Sequence, residues 1–167
     1  MVNFERLFEV YEFAKEAHGN QKRETGESYI THPVAVANIA QSYGADDKTI
    51  YACLLHDVVE DTCVSFEEIK NRFGKSVAYL VDGVTKIEGD KVGTRLKVWE
   101  YAKIDKRVAL IKLADRIHNV SNPKDDLEWR KDYMVSTNFY IGVGREFDFD
   151  DMASKLEELN KGFGELE

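Results

Sequence analysis

The chain is poor in cysteine and proline, with two of each in 167 residues, and its eleven glycines are an ordinary share. Two cysteines are too few for a disulfide framework or a thiolate metal site, and Cys53 and Cys63 read as buried, reduced thiols. Scarce proline without a glycine excess excludes fibrous and low-complexity chains. No apolar run approaches the roughly 20 residues that cross a bilayer. The first ten residues, MVNFERLFEV, lack a basic leader followed by an apolar core, so no signal peptide is expected and the expected location is cytoplasmic. Positive charge is also short: 23 basic against 31 acidic residues give a formal charge of −8. That balance argues against a partner that is a nucleic-acid polymer, whose phosphates demand a basic surface. One small anionic ligand remains compatible, provided local cations or a metal meet it.

What is present is helical periodicity almost throughout. Residues 3–18 place Phe4, Leu7, Phe8, Tyr11, Ala14 and Ala17 on one face. A polar loop, Gly19–Tyr29, precedes a helix opened by Pro33 and ended near Gly44. Asp46 and Asp47 can cap a helix over about 47–61, and Ser65 with Glu68 has the form of a capping box for a helix ending at Gly74. Further helices are expected at 75–84, from about Arg95 to the Asn122-Pro123 stop, at 127–143 and at 150–161, with a loop over 87–94. No strand pair or repeat stands out. The expected fold is all-α, one helical bundle over 1–167, with the chemistry in about 1–122 and a cover of C-terminal helices from about 123. The acidic EFDFDD at 146–151 fits an interaction surface or a solvated cover.

The densest cluster of reactive side chains is LLHDVVEDT (Leu54–Thr62), with His56, Asp57, Glu60 and Asp61 among aliphatic neighbours. On one helix these four share a broad face, and three crowded carboxylates call for a positive charge between them. Elsewhere His32 precedes Pro33, and Asp115 interrupts the apolar ridge of Val108, Ile111 and Ala114, with His118 and Asn119 close behind. Taken alone, Asp115 fits an aspartate paired with Arg116 or capping a helix, and His32 fits a helix-end residue. Taken together, two histidines and two aspartates from three helices make a nitrogen and oxygen donor set suited to Mn²⁺, Fe²⁺ or Zn²⁺.

AHGNQKRETGESYITHP (Ala17–Pro33), LLHDVVEDT, VDGVTK (Val81–Lys86) and KLADRIHN (Lys112–Asn119) resemble, in order and spacing, the HD-type hydrolase domain of the RelA/SpoT family. The resemblance covers about residues 1–122, leaves no room for the family's synthetase domain, and so implies a stand-alone small alarmone hydrolase. It implies removal of pyrophosphate from the 3′ position of ppGpp and pppGpp, with Mn²⁺ as the usual metal. By position, His32, His56, Asp57 and Asp115 match the metal ligands, and Glu60 and Asp61 the pair that orients or deprotonates the attacking water. Arg23 matches the guanidinium packed on the nucleobase, although a solvated loop arginine is its alternative. Asn119 matches a sugar–phosphate contact. Tyr140 matches either a late aromatic of the nucleotide pocket or a core tyrosine.

The chain departs from the family pattern at Glu24, where the family has lysine, at Ser28, where it has proline, and at Ser121 and Asn122, where it has arginine and threonine. A Glu24 turned inward would repel polyphosphate. Arg95, Lys97 and Lys103 could replace the missing cations or form a solvated face. Two other readings follow: an HD-type phosphohydrolase acting on NADPH at its 2′-phosphate or on a nucleoside monophosphate, and a nucleotide sensor without turnover. Both Glu60 and Asp61 are present, which argues against the sensor. Oligomeric state is not legible.

Overall fold

In the computed structural model the described residues are 3–163, and they form helices with no strand among them. In chain order these are α1 (Phe4–His18), α2 (Thr31–Ser42), α3 (Asp47–Leu55), α4 (Val58–Asp61), α5 (Phe66–Phe73), α6 (Lys75–Val84), α7 (Lys91–Ile104), α8 (Arg107–Ser121), α9 (Leu127–Glu146) and α10 (Asp150–Phe163). Side chains cap several starts as expected: Asp46 Oδ1 accepts from Thr49 N at 2.8 Å, and Ser65 Oγ from Glu68 N at 3.2 Å.

The bundle is organised around α8, which packs against α2, α3, α6, α7, α9 and α10. Eleven of its fifteen residues are buried, so this helix lies within the core rather than over it. Close approach is paid for by small residues. A Cβ on Gly83 of α6 would lie 2.8 Å from Tyr101 and 2.9 Å from Val108, so only glycine lets α6 lie against α7 and α8. The C-terminal helices are more than a solvated cover. Met152, Ala153 and Leu156 of α10 are buried in the core, and α10 packs on both α8 and α9.

Four expectations change. The helix over 47–61 is two helices, α3 and α4, separated by His56 and Asp57. Asp57 has φ −98° and ψ −7°, and His56 Nδ1 bonds back to Cys53 O at 2.8 Å, a local bond that competes with continued helix. The helix from Arg95 is also two. Asp105 turns extended, and its carboxylate accepts from Arg107 N at 3.1 Å and Arg107 Nε at 2.9 Å, which starts α8 afresh. The 87–94 loop is shorter, because Asp90 caps α7 through Gly93 N at 2.7 Å. Of the two free cysteines, Cys53 is buried and Cys63 exposed, so the second is not a core thiol.

Candidate metal centre and nucleotide cleft

His32 in the first turn of α2, His56 and Asp57 at the α3–α4 break, and Asp115 in α8 meet at one point. His32 Nε2 lies 3.4 Å from both Asp57 Oδ2 and Asp115 Oδ1, while His56 Nε2 lies 3.2 Å and 3.9 Å from the same oxygens. All four residues are buried. His56 and Asp57 are adjacent at the α3–α4 break, and both side chains reach this point, with His56 Nε2 next to Asp57 Oδ2.

The donor set fits a divalent cation. His56 Nε2 is buried and makes no hydrogen bond among the described residues, while its other nitrogen is occupied by Cys53 O. His32 likewise turns Nε2 to the centre, with Nδ1 2.9 Å from His118 Nδ1. A ring fixed through one nitrogen and offering the other is how ligating histidines are held. Burial, His32 and Arg23 push His118 down to about 4, so it stays neutral beside that centre. Against the cost of burial, His56 and His32 hold Asp57 well below the usual carboxylate range, and Lys112 does the same for Asp115. Lys112 Nζ sits 2.9 Å from Asp115 Oδ2, and Asn119 Nδ2 donates to Asp115 Oδ1 at 2.6 Å. Asp115 is thus paired with Lys112; Arg116 bonds Ser136 Oγ at 2.8 Å instead.

Glu60 and Asp61 part company. Glu60 accepts from the Lys86 backbone N and, at 2.7 Å, from Lys86 Nζ. Asp61 lines the cleft and accepts from Tyr29 Oη at 2.8 Å. Burial and the two nearby aspartates push the Tyr29 phenol well above its ordinary range, so it remains a donor.

The cleft, about 430 Å³, opens from this floor. Arg23 and Asn119 come together in it, with Arg23 Nη2 3.4 Å from Asn119 Oδ1. Tyr140 does not line it: the residue is 1% exposed, packed in the core beneath the Arg116 guanidinium at 4.5 Å. Two turns nearer the start of α9, Tyr133 takes the wall position, stacked on Trp129 with ring centroids 4.4 Å apart. Arg95, Lys97 and Lys103 stand outside the lining. Lys97 pairs with Asp82 at 2.7 Å and Lys103 with Glu100 at 2.6 Å. The cations that do line the cleft are Lys22, Arg23, Lys86, Lys112, Arg116 and Lys124. Glu24 is at the mouth, where its carboxylate pairs with Lys124. Sequence reasoning missed Tyr29, Lys112 and Lys124 as parts of the site. The first two sit inside recognisable blocks, whereas Lys124 follows Pro123 with no local pattern to mark it.

Among the described residues no helix is long and apolar enough to cross a membrane. Comparison with known proteins agrees with the geometry. The chain is 51% identical over 122 residues to a guanosine-3′,5′-bis(diphosphate) 3′-pyrophosphohydrolase of Aquifex aeolicus, covering 70% of this chain and 17% of that protein. It is 47% identical over 125 residues to the bifunctional (p)ppGpp synthase/hydrolase SpoT of Escherichia coli K12, covering 69% and 18%. The chain therefore spans about a fifth of the length of these curated relatives. A solved structure described as a metazoan ortholog of SpoT that hydrolyzes ppGpp is 29% identical, with a TM-score of 0.83, and covers 98% of each chain. Residues 10–136 match the HD domain pattern, most of the chain and every proposed metal ligand, and on this ground the chain belongs to the HD domain family.

Proposed function

We propose that this chain is a divalent-metal-dependent hydrolase that removes pyrophosphate from the 3′ position of ppGpp and pppGpp, with Mn²⁺ in the centre formed by His32, His56, Asp57 and Asp115. The observation that carries the reading is the convergence of two imidazole nitrogens and two carboxylates at the floor of a cation-lined cleft, with Asp61 beside them. A divalent cation there would act as a Lewis acid toward the phosphoryl group and make water a better nucleophile.

The rest falls to the chain's own residues. Asp61 orients the attacking water and accepts its proton, being the carboxylate open to the cleft. Glu60 fixes the Lys86 ammonium at the cleft wall, where the cation faces phosphate charge. Arg23 packs on the base and Asn119 holds the sugar–phosphate portion, since their side chains meet at one wall. Direct attack by water accounts for the chemistry without a covalent enzyme intermediate. The name borne by the longer relatives and the activity of the solved neighbour support this substrate. A nucleotide substrate also fits a cytoplasmic site of action.

The test is product analysis. Mn²⁺-loaded protein incubated with ppGpp should release pyrophosphate, and Asp57→Ala should release none and lose Mn²⁺-dependent thermal stabilisation. Orthophosphate from NADPH or a nucleoside monophosphate, with ppGpp left intact, would overturn the substrate assignment and keep the chemistry. Tight nucleotide binding without any product would overturn both.

A further inference from the structure

Tyr29 lines the cleft and has no task in the reading above. It lies in the loop between α1 and α2, three residues before His32, and its Oη is 2.8 Å from Asp57 Oδ2 and 2.8 Å from Asp61 Oδ2. A phenol has one proton and two lone pairs. Two carboxylates sharing that hydroxyl are tied to one point in space, so the placement of the ring sets their separation.

The ring itself is fixed on two sides. It stacks on His18, with centroids 4.5 Å apart and planes 27° apart, and meets His32 edge-on at 6.2 Å. His18 is buried and paired through Nδ1 with Gln21 Oε1 at 2.8 Å. Gln21 in turn donates through Nε2 to the Asp61 backbone O at 2.6 Å, and its own carbonyl accepts from Tyr29 N at 3.0 Å. One loop therefore grips Asp61 twice, at its carboxylate and at its carbonyl. Asp61 needs such a grip. It is exposed and ends a four-residue helix, so little else restricts its rotamers.

We propose that Tyr29 is a positioning residue whose hydroxyl sets Asp61 in register with Asp57, braced by Gln21 and His18. This rests on the proposed roles of Asp57 and Asp61. A cation drawing on the Asp57 carboxylate would leave the phenol proton to Asp61, so metal occupancy and the orientation of Asp61 are linked through one O–H.

The test uses Tyr29→Phe, which keeps both ring contacts and removes only the hydroxyl, with Mn²⁺ affinity read by the EPR signal of free Mn²⁺ alongside steady-state kinetics on ppGpp. The expected result is a kcat lower by about 10- to 100-fold, KM within about twofold, and Mn²⁺ bound about tenfold more weakly. On an Asp61→Asn background the same change should cost little more in kcat, because the Asp61 carboxylate that the hydroxyl places is gone. Gln21→Ala, which releases the Asp61 carbonyl and the His18 ring and keeps the phenol hydroxyl, should lower kcat in the same pattern by a smaller factor. Should Tyr29→Phe fail to fold, this variant decides: a lowered kcat at constant KM supports the proposal and an unchanged one overturns it. Tyr29→Phe with kcat and Mn²⁺ affinity both within about twofold of wild type overturns it, as does a full multiplicative loss on top of Asp61→Asn. If the unaltered protein spares ppGpp, the substrate reading fails by itself. The Mn²⁺ affinity of Tyr29→Phe then decides positioning: weakened binding supports it, unchanged binding overturns it.

Discussion

At the floor of the cleft His32, His56, Asp57 and Asp115 are each no more than 7% exposed, and Asp115 has Lys112 and Asn119 in hydrogen-bond contact. At the mouth Glu24 and Lys124 form their pair with side chains 63% and 45% exposed. The two regions carry charges of both signs, yet water treats them differently. Buried charges have no solvent to fall back on, so each needs a partner of fixed geometry, and losing one leaves the other uncompensated. Exposed pairs are screened and exchange partners at little cost. The floor is therefore suited to holding one chemistry and the mouth to adjusting what is admitted.

The sharpest way to break this contrast is Lys112→Met. Its ammonium is buried beside Asp115 and, although burial opposes the charge, Asp115 keeps it above the ordinary lysine range. Removing it leaves the Asp115 carboxylate short of its nearest cation, and the expected loss is about 3–5 kcal/mol of unfolding free energy in metal-free protein. Denaturant titration measures this. Added Mn²⁺ should restore part of the loss, because a cation at the same carboxylate replaces the missing charge. A variant within about 1 kcal/mol of wild type would show that His32 and Asn119 alone balance Asp115.

A middle case is Arg23, half-buried and 3.4 Å from Asn119 Oδ1, which joins the floor's α8 to the mouth's loop. Arg23→Ala should raise KM for ppGpp about tenfold, the worth of one stacked guanidinium, and leave the melting temperature and Mn²⁺ affinity unchanged. A fall in kcat with KM constant would instead place Arg23 at the reacting phosphate.

The same contrast explains what could be read from the chain. Asp115 announces itself because a carboxylate inside Val108–Val120 has no place unless something binds it, and His56-Asp57 stands out among Leu54, Leu55, Val58 and Val59 for the same reason. Caps such as Asp46 and Ser65 are legible because each bond is local. The breaks at His56-Asp57 and Asp105 were hidden, since apolar spacing continues across both and the deciding bonds, to Cys53 O and from Arg107, are made by side chains. Tyr140 and Tyr133 are seven residues apart on one face of α9, and Arg116 lies over both rings, so periodicity cannot say which reaches the cleft. The Glu24–Lys124 pair joins residues one hundred positions apart through loops, and no pattern links them.

That pair is also where the smallest effect is expected. The contact of Glu24 with Lys124 means that the mouth keeps a cation while part of its charge is offset by a carboxylate. Reversing the charge with Glu24→Lys removes that neutralisation and places two ammonium groups at the entrance. An exposed pair contributes little to stability, so the melting temperature should hold. The change should instead appear in substrate capture, as a KM for ppGpp lower by about two- to fivefold at low salt, with the difference fading as ionic strength rises toward 0.5 M. The Mn²⁺ affinity and kcat should not follow, because the floor's charges are held by their own buried partners. If kcat moves together with KM and the effect survives high salt, the mouth and the floor are one electrostatic unit, and the division between chemistry and admission drawn from their burial is wrong.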